Sequence, residues 1–409
     1  MTHLRAEAAS RATFLHFFLN GFIVTAWTAR IPGAAATLKV DNAQLGLLLL
    51  MVAVGSILSM SQADRLLARF GTRTTARGGN VVGVLGLVGL SAALGAQSPV
   101  WAGAALLVLG VGMGVWDVAM NVEGAHVEHE LGRTVMPRYH AGFSVGTVAG
   151  AVLGAALAAA SVPIAVGLIG AGLVSLVVVA LVTPRFLDSG PALEPVPAGQ
   201  GADPASAAAA ATSAPAVKPR SPWTEPRTLL IGVVVMACSL TEGSAMDWVA
   251  KGAVDGIHVS ESVAAMIFAV FVTAMTLTRW FGTGFVDRFG RVACLRVCLA
   301  ASLLGLATYV LAPNGWVMAV GVFFWGVGAA LGFPLGISAA SDEPARAAAR
   351  VSTVSMIAYT AFFLGPPLLG WLAEAWTIRH ALAVIAVPIL AALLLAGVTR
   401  AQREPASAS

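Results

Sequence analysis

Apolar residues fall in long unbroken runs rather than in the short alternations of a soluble fold. Twelve stretches of about 19–23 residues stand out, near 12–32, 44–64, 79–97, 101–122, 140–160, 163–183, 228–250, 262–284, 294–312, 315–337, 351–373 and 380–398. Each is long enough to cross a hydrocarbon core of ~30 Å as a helix. We number them spans 1 to 12. They predict an all-α membrane protein with an N-terminal tail (1–11), a first six-helix bundle (12–183), a linker (184–227), a second six-helix bundle (228–398) and a C-terminal tail (399–409). The segment 191–219 is rich in Ala, Pro, Gly and Ser. Such a composition buries too little surface to order itself, so 184–227 reads as a flexible linker.

The two sets of six echo each other. Arg69-Phe70-Gly71-Thr72-Arg73 after span 2 matches Arg288-Phe289-Gly290-Arg291 after span 8. The run ending at Gly114 in span 4 (LGVGMG) matches the run ending at Ala330 in span 10 (WGVGAA). Asn20-Gly21 with Trp27 in span 1 matches Glu242-Gly243 with Trp248 in span 7. All three offsets lie close to 220 residues, as in transporters built from duplicated bundles.

Composition agrees with a lipid-solvated chain. Of 409 residues, 58% are hydrophobic and 11% charged, against roughly 25% charged in a soluble domain. The mean hydropathy is +0.84 and the isoelectric point about 9.3. The basic residues are scattered between apolar runs without aromatic interleaving, so no nucleic-acid partner is expected. Charge placement sets the orientation. With the N-terminus inside, 19 Lys and Arg fall in cytoplasmic segments, and only Arg30, Lys39, Lys251 and Arg379 fall outside. The positive-inside rule therefore puts both termini in the cytoplasm. Cys238, Cys294 and Cys298 form no disulfide framework and read as apolar filler.

The run Gly110–Asp117, GVGMGVWD, resembles a dinucleotide loop in letters alone. That loop needs a strand–turn–helix context, and here it sits within a span. On a helix, Gly110, Gly114, Asp117 and Asn121 share one face, and its glycines admit a neighbouring helix or a ligand. A mid-span aspartate costs about 2.5–3.5 kcal/mol on the insertion scale, so Asp117 must face a cavity or a partner. It reads either as a solute acceptor and proton site or as a structural carboxylate held by an arginine. Glu242 lies mid-span in span 7. Burial disfavours its charged form, which suits a proton carrier. Asp247 is read either as a cavity group or as an interfacial carboxylate. Arg279 is the single in-span arginine, at a depth similar to that of Asp117. It pairs with Asp117, clamps solute with it, or snorkels to the interface. Trp27 and Trp248 either stack on a sugar ring or belong to an aromatic belt. Arg30 is a gate or an interface anchor, and His140 a proton sensor or a polar cap.

Twelve spans, the repeat, the central loop and the basic turns together are similar to the major facilitator superfamily. The turn Gly284–Arg291 resembles that superfamily's signature between spans 8 and 9. The first copy has Ala68 at the usual aspartate position, with Asp64 one turn earlier. The resemblance implies a cytoplasmic latch in which Asp287 meets the end of span 5, with Arg288, Gly290, Arg291, Arg69 and Gly71 in the matching turns. More loosely, Gly110–Asn121 and Gly365–Gly370 resemble the fucose permease-like sugar:proton symporters. That branch uses an acidic residue in span 4, matched by Asp117, and one in span 1, where this chain has Asn20.

The expected function is secondary active transport of a small polar solute, a sugar or polyol, across the cell membrane, coupled to protons. Asp117 and Glu242 are the candidate proton carriers. Asn20, Trp27, Asn121, Asp247, Trp248 and Arg279 are the candidate cavity residues. The alternative is a drug or metabolite antiporter, although span 5 lacks the Gly-Pro motif frequent among those. No phosphate loop, metal cluster or Ser–His pairing lies in the spans, so no cofactor, metal or enzymatic activity is expected. The partners are solute, protons and lipid, and a monomer is the superfamily default.

Overall fold

The computed structural model describes residues 2–187, 221–343 and 346–401. Every regular element among them is helical. The first half contains α1 (Thr2–Thr28), α2 (Ile31–Leu38), α3 (Asn42–Gly95), α4 (Pro99–Leu131), α5 (Met136–Ala159) and α6 (Ile164–Val182). The second contains α7 (Pro226–Ile257), α8 (Glu261–Phe289), α9 (Arg291–Leu311), α10 (Gly315–Ala329), α11 (Gly332–Ala340), α12 (Ala347–Ala375), α13 (Ile378–Ala383) and α14 (Ala386–Leu395). Ten helical segments are long and apolar enough to cross a membrane, or eleven when α1 and α2, bent by 46°, are taken as one broken span. The bend falls just before Pro32, whose missing N–H cannot continue the ladder.

Spans 2 and 3 of the sequence both lie in α3. At 54 residues it would measure ~80 Å if straight. It is not straight. Gly71 sits at φ 74°, ψ 170°, a conformation that costs a side-chain-bearing residue of order 1–3 kcal/mol. Packing shows that the chain reverses there. In the arm before Gly71, the backbone of Val52 meets Gly110 of α4 and Ser56 meets Gly114, so that arm runs parallel to α4. In the arm after it, Gly79 meets Trp116 and Gly86 meets Leu109, so this arm runs antiparallel. Gly290, between α8 and α9, has nearly the same backbone, φ 78°, ψ 161°.

The alternating glycines of α4 are a packing device. Gly110 and Gly114 press on the first arm of α3, and Gly112 presses on Gly79 and Gly83 of the second. The same sandwich recurs in the second half. Gly326 of α10 meets the backbone of Phe271 in α8, and Gly328 meets Cys298 and Ser302 in α9. In lipid no hydrophobic drive holds helices together, so backbone approach through small residues does it. The three cysteines are buried free thiols within the second half.

Three boundaries differ from the sequence expectation. The N-terminal tail continues α1, which is helical from Thr2, and Glu7 is tied to Arg133 at 2.6 Å. The linker is anchored at both ends. Phe186 is buried and its carbonyl accepts from Arg73, while the Leu187 amide donates to Glu123. At its far end α7 already begins at Pro226. The middle of the linker, 188–220, and the tail 402–409 lie outside the described residues. Spans 10 and 12 are each broken, after Ala329 and after Ala383 respectively.

Gly71→Ala and Gly290→Ala are each expected to destabilise the protein by about 1–3 kcal/mol. Gly78→Ala, in open space within a helix, is expected to cost nothing. Thermal unfolding in detergent checks both.

Candidate functional site

The halves meet along α3 with α12, α5 with α8, and α2 with α7. Their closest approach is at the end of the molecule where α3, α8 and α10 begin. There the Arg30 Nε donates to Glu261 Oε1 at 2.7 Å, joining the halves. The backbone of Gly46 abuts Pro366, Gly370 abuts Asn42, and the Asn42 amide donates to Glu374 Oε1 at 2.8 Å. Arg30 is buried and its Nη2 also donates to the Val162 carbonyl. Midway along, the Thr276 hydroxyl of α8 donates to the Ser144 carbonyl of α5 at 3.4 Å. Among the described residues, no hydrogen bond or ion pair joins the halves at the opposite end, where the Gly71 and Gly290 turns lie. The molecule is closed at the Arg30 end.

Of the sequence-predicted polar groups, Asp117, Asn121, Glu242, Asp247 and Arg279 are half-buried. Arg279 of α8 does not meet Asp117. Its Nη2 donates to Glu242 Oε2 of α7 at 2.8 Å, and its Nε donates to the Ala330 carbonyl at 3.0 Å. That carbonyl is freed by the break between α10 and α11, so one guanidinium neutralises an acid and caps a broken helix. Arg279 therefore neither snorkels nor clamps solute with Asp117. Glu242 already holds a counter-charge, which sets it apart from a free proton carrier.

Asp117 has no ion pair among the described residues. Asn121 donates its amide to the Asp117 carbonyl at 2.9 Å and lies beside the carboxyl. Across the gap, Tyr359 of α12 is within electrostatic range of it. Asp247 of α7 likewise has no partner among the described residues. Both aspartates are enclosed by protein on most sides yet keep some accessible surface. His140 of α5 is exposed, with its ring edge on Phe17, and faces the field of Arg279.

Other expectations are corrected. Trp27 and Trp248 are 4% and 0% exposed. Their faces of α1 and α7 pack inside the halves, so neither ring is free for a solute or for the membrane interface. Asn20 is buried, and its Nδ2 has no acceptor among the described residues. Asp287 and Arg288 are exposed. Asp287 makes no hydrogen bond or ion pair among the described residues. Arg291 binds Asp342 of its own half at 2.6 Å. Arg69 and Arg288 each lie 5.3 Å over the ring of the phenylalanine that follows.

Several interactions escaped the sequence reading. Beside the Gly71 turn, the Thr72 hydroxyl donates to the fully buried Glu123 at 3.1 Å. Beside the Gly290 turn, Arg291 meets Asp342. Each acid stands 52 residues after its turn glycine, a signal the repeat offset contained. His16 accepts at Nδ1 from the Trp116 indole N–H at 2.8 Å. Its Nε2 therefore carries the proton and donates to Thr183 Oγ1 at 3.1 Å. This neutral, fully satisfied imidazole ties α1 and α4 to Thr183, the residue that follows α6. Outside the spans, burial opposes the charged form of Glu225. Hydrogen bonds from Thr228 and Arg350 and the charges of Arg350 and Arg346 outweigh it, holding the carboxyl below its ordinary range.

A helical molecule with crossing segments, repeated half-structures and polar groups gathered between the halves is a membrane transporter in architecture. The sequence model of the Major Facilitator Superfamily matches residues 10–246 and 243–409. The chain is 30% identical over 381 residues to the uncharacterized transporter y4wD of Sinorhizobium fredii, covering 92% of this chain and 94% of that one. It is 30% identical over 387 residues to an uncharacterized MFS-type transporter of Yersinia pestis, covering 93% and 92%. Among solved structures, the nucleoside transporter NupG superposes with a TM-score of 0.71 at 14% identity, covering 95% of this chain and 98% of that one. The fucose:proton symporter FucP of E. coli superposes at 0.56 and 14%, covering 98% and 99%. The chain belongs to the Major Facilitator Superfamily; it is a multi-pass membrane transporter and not an enzyme.

Glu242→Gln and Arg279→Gln are each expected to lower stability by about 1–3 kcal/mol, because each strands a desolvated partner. The double variant is expected to lose less than the sum of the two. A double-mutant cycle by thermal unfolding checks this. Glu261→Gln leaves the buried Arg30 without its counter-charge and is expected to lower stability by about 1–3 kcal/mol in thermal unfolding.

Proposed function

We propose that the protein is a secondary active transporter that moves a small polar solute of the sugar or polyol kind by alternating access, coupled to protons. The observation that carries this is that Asp117 and Asp247, half-buried within membrane-crossing helices, have no ion pair among the described residues. A charged carboxylate in the membrane interior is costly. Each must therefore take a proton, a solute hydroxyl or a mobile counter-charge as its surroundings change. Glu242, satisfied by Arg279, is better suited to positioning. The coupling assignment accordingly moves from Asp117 and Glu242 to Asp117 and Asp247.

The reading places twelve spans in two sets of six, counting the two arms of α3 separately. The Gly71 and Gly290 turns carry Arg65, Arg69, Arg77, Arg288 and Arg296, and the positive-inside rule assigns that end to the cytoplasm of a cell membrane. Closure at the Arg30 end then makes this an inward-facing state. The Asp287 latch would form when the cytoplasmic ends close. Nucleosides and fucose, the solutes named for the two fold relatives, are both rich in hydroxyls, which suits acceptors such as Asp117 and Asn121 and the unpartnered Asn20 amide.

The test uses purified protein in liposomes with a trapped pH dye and a panel of sugars, polyols and nucleosides. Protein-dependent lumen acidification on adding one of these is expected. Asp117→Asn and Asp247→Asn are each expected to reduce it to the level of empty liposomes, while Glu242→Gln retains part of it. Full proton movement in both aspartate variants would overturn the assignment.

A further inference from the structure

One stripe of α12 is turned toward the first half. Tyr359, Pro366 and Gly370 stand at i, i+7 and i+11, along one face of the helix. Pro366 abuts Gly46 of α3, and Gly370 abuts Asn42. Tyr359 continues that stripe two turns further inward. Leu364, Leu368 and Trp371 are exposed and apolar and lie on the other side of the helix, as lipid-facing residues do. Tyr359 thus looks toward the first half, in keeping with its electrostatic reach to Asp117 of α4. It is 37% exposed, and its hydroxyl has no hydrogen-bond partner among the described residues.

A second ring stands beside it. Phe362 lies 6.3 Å from Tyr359 between ring centroids, tilted by 45°. It is half-buried, and its edge reaches Gly243 of α7, where a Cβ would come within 3.0 Å of the ring. Gly243 therefore leaves room for this ring next to Glu242. The two rings form one apolar wall with a free phenol hydroxyl on its edge. The Asp117 carboxyl, with Asn121 beside it, lies across from that edge.

The repeat gives the wall its place. Tyr359 and Phe362 each follow their counterparts in α5, His140 and Phe143, by 219 residues. Phe143 meets Gly21 through its backbone, as Phe362 meets Gly243 through its ring. His140 is exposed and faces Arg279 of the other half, just as Tyr359 faces Asp117. Two groups related by the repeat, each turned to the opposite half, flank the axis between the halves, where transporters built from repeats hold their solute. The flat wall belongs to the second half alone, because the His140 ring sets its edge on Phe17.

We propose that Tyr359 and Phe362 form the platform on which the transported solute lies, and that this solute is a hydroxylated ring rather than an open-chain polyol. The proposal rests on the transport reading above and narrows its solute class. A sugar-like ring carries C–H groups on one face and hydroxyls around its rim. An aromatic wall covers the C–H face without stranding polar atoms, while Asp117, Asn121 and the Tyr359 hydroxyl meet the rim. An open chain has no fixed apolar face and loses more rotor freedom on binding.

The experiment uses the full-length protein in detergent. Thermal unfolding is followed against hexopyranoses, nucleosides and inositol, and against sorbitol, which matches inositol in carbon and hydroxyl count. A saturable rise in Tm with a ring solute, weaker by about tenfold or more with sorbitol, is expected. Tyr359→Leu and Phe362→Leu keep apolar bulk but lose the flat face, and each is expected to raise Kd about tenfold. Tyr359→Phe keeps the face and loses the hydroxyl, and is expected to raise Kd about fivefold. If the leucine variants do not fold, Tyr359→Phe decides. Liposome acidification with the same panel separates the two readings. Ring binding without proton movement supports the platform and removes the coupling. Acidification by sorbitol equal to that by the best ring removes the platform and leaves the coupling. Wild-type Kd in the variants, or no rise in Tm with any member of the panel, also overturns the proposal.

Discussion

The architecture depends on backbone lying against backbone along α4 and α10. Lipid offers no gain for burying one apolar helix against another, so affinity between helices must come from close contact. Gly110, Gly112 and Gly114 allow α4 to touch both arms of α3, and Gly326 and Gly328 do the same for α10 between α8 and α9. With α4 clamped on two sides its rotation is fixed. Asp117 is thereby aimed toward α12, Trp116 toward His16, and Glu123 toward Thr72 of the Gly71 turn. A side chain at any of these glycines would move all three.

Charge is handled differently at three levels of the molecule. At the closed end, Arg30 and Glu261 join the halves and take each other out of water. At mid-depth, Arg279 is spent on Glu242 and on the carbonyl of a broken helix. That leaves Asp117 and Asp247 as half-buried carboxylates with no ion pair among the described residues. At the open end, each half ties its own turn with its own acid, Glu123 or Asp342, while Asp287 and Arg288 stand exposed. Contacts within a half are thus permanent in kind, and contacts between halves are few and local. A scaffold of that sort can rock without being dismantled.

The repeat is instructive where it fails. The turns, the sandwiching glycines and the acids 52 residues beyond the turns are shared by both halves. The N-terminal half places a neutral Asn20 where the C-terminal half places Glu242, and its buried arginine, Arg30, lies at the end of span 1 rather than at mid-depth. The ion pair at mid-depth is therefore a property of one half only. Duplication gave the frame, and the asymmetric chemistry lies in residues that differ between the copies.

By itself the sequence determined the helical membrane class, the positions of most spans, the repeat and the short set of polar residues worth attention. These follow from runs of apolar residues and from the cost of charge in lipid, both local in the chain. It also marked Gly71 and Gly290, because a turn between spans must fall where the apolar run stops. Only the tertiary structure decided who meets whom. Arg279 and Asp117 share a depth, and depth was all the sequence could compare. The choice of Glu242 was set by helix rotation and by the break at Ala330. Trp27 and Trp248 lie near the outer ends of their spans, as belt residues do, but the faces that carry them turn inward. Glu261 gave no sign of its role because its partner, Arg30, is 231 residues away. Pairings of that kind depend on how the two halves are docked, and no local pattern encodes docking.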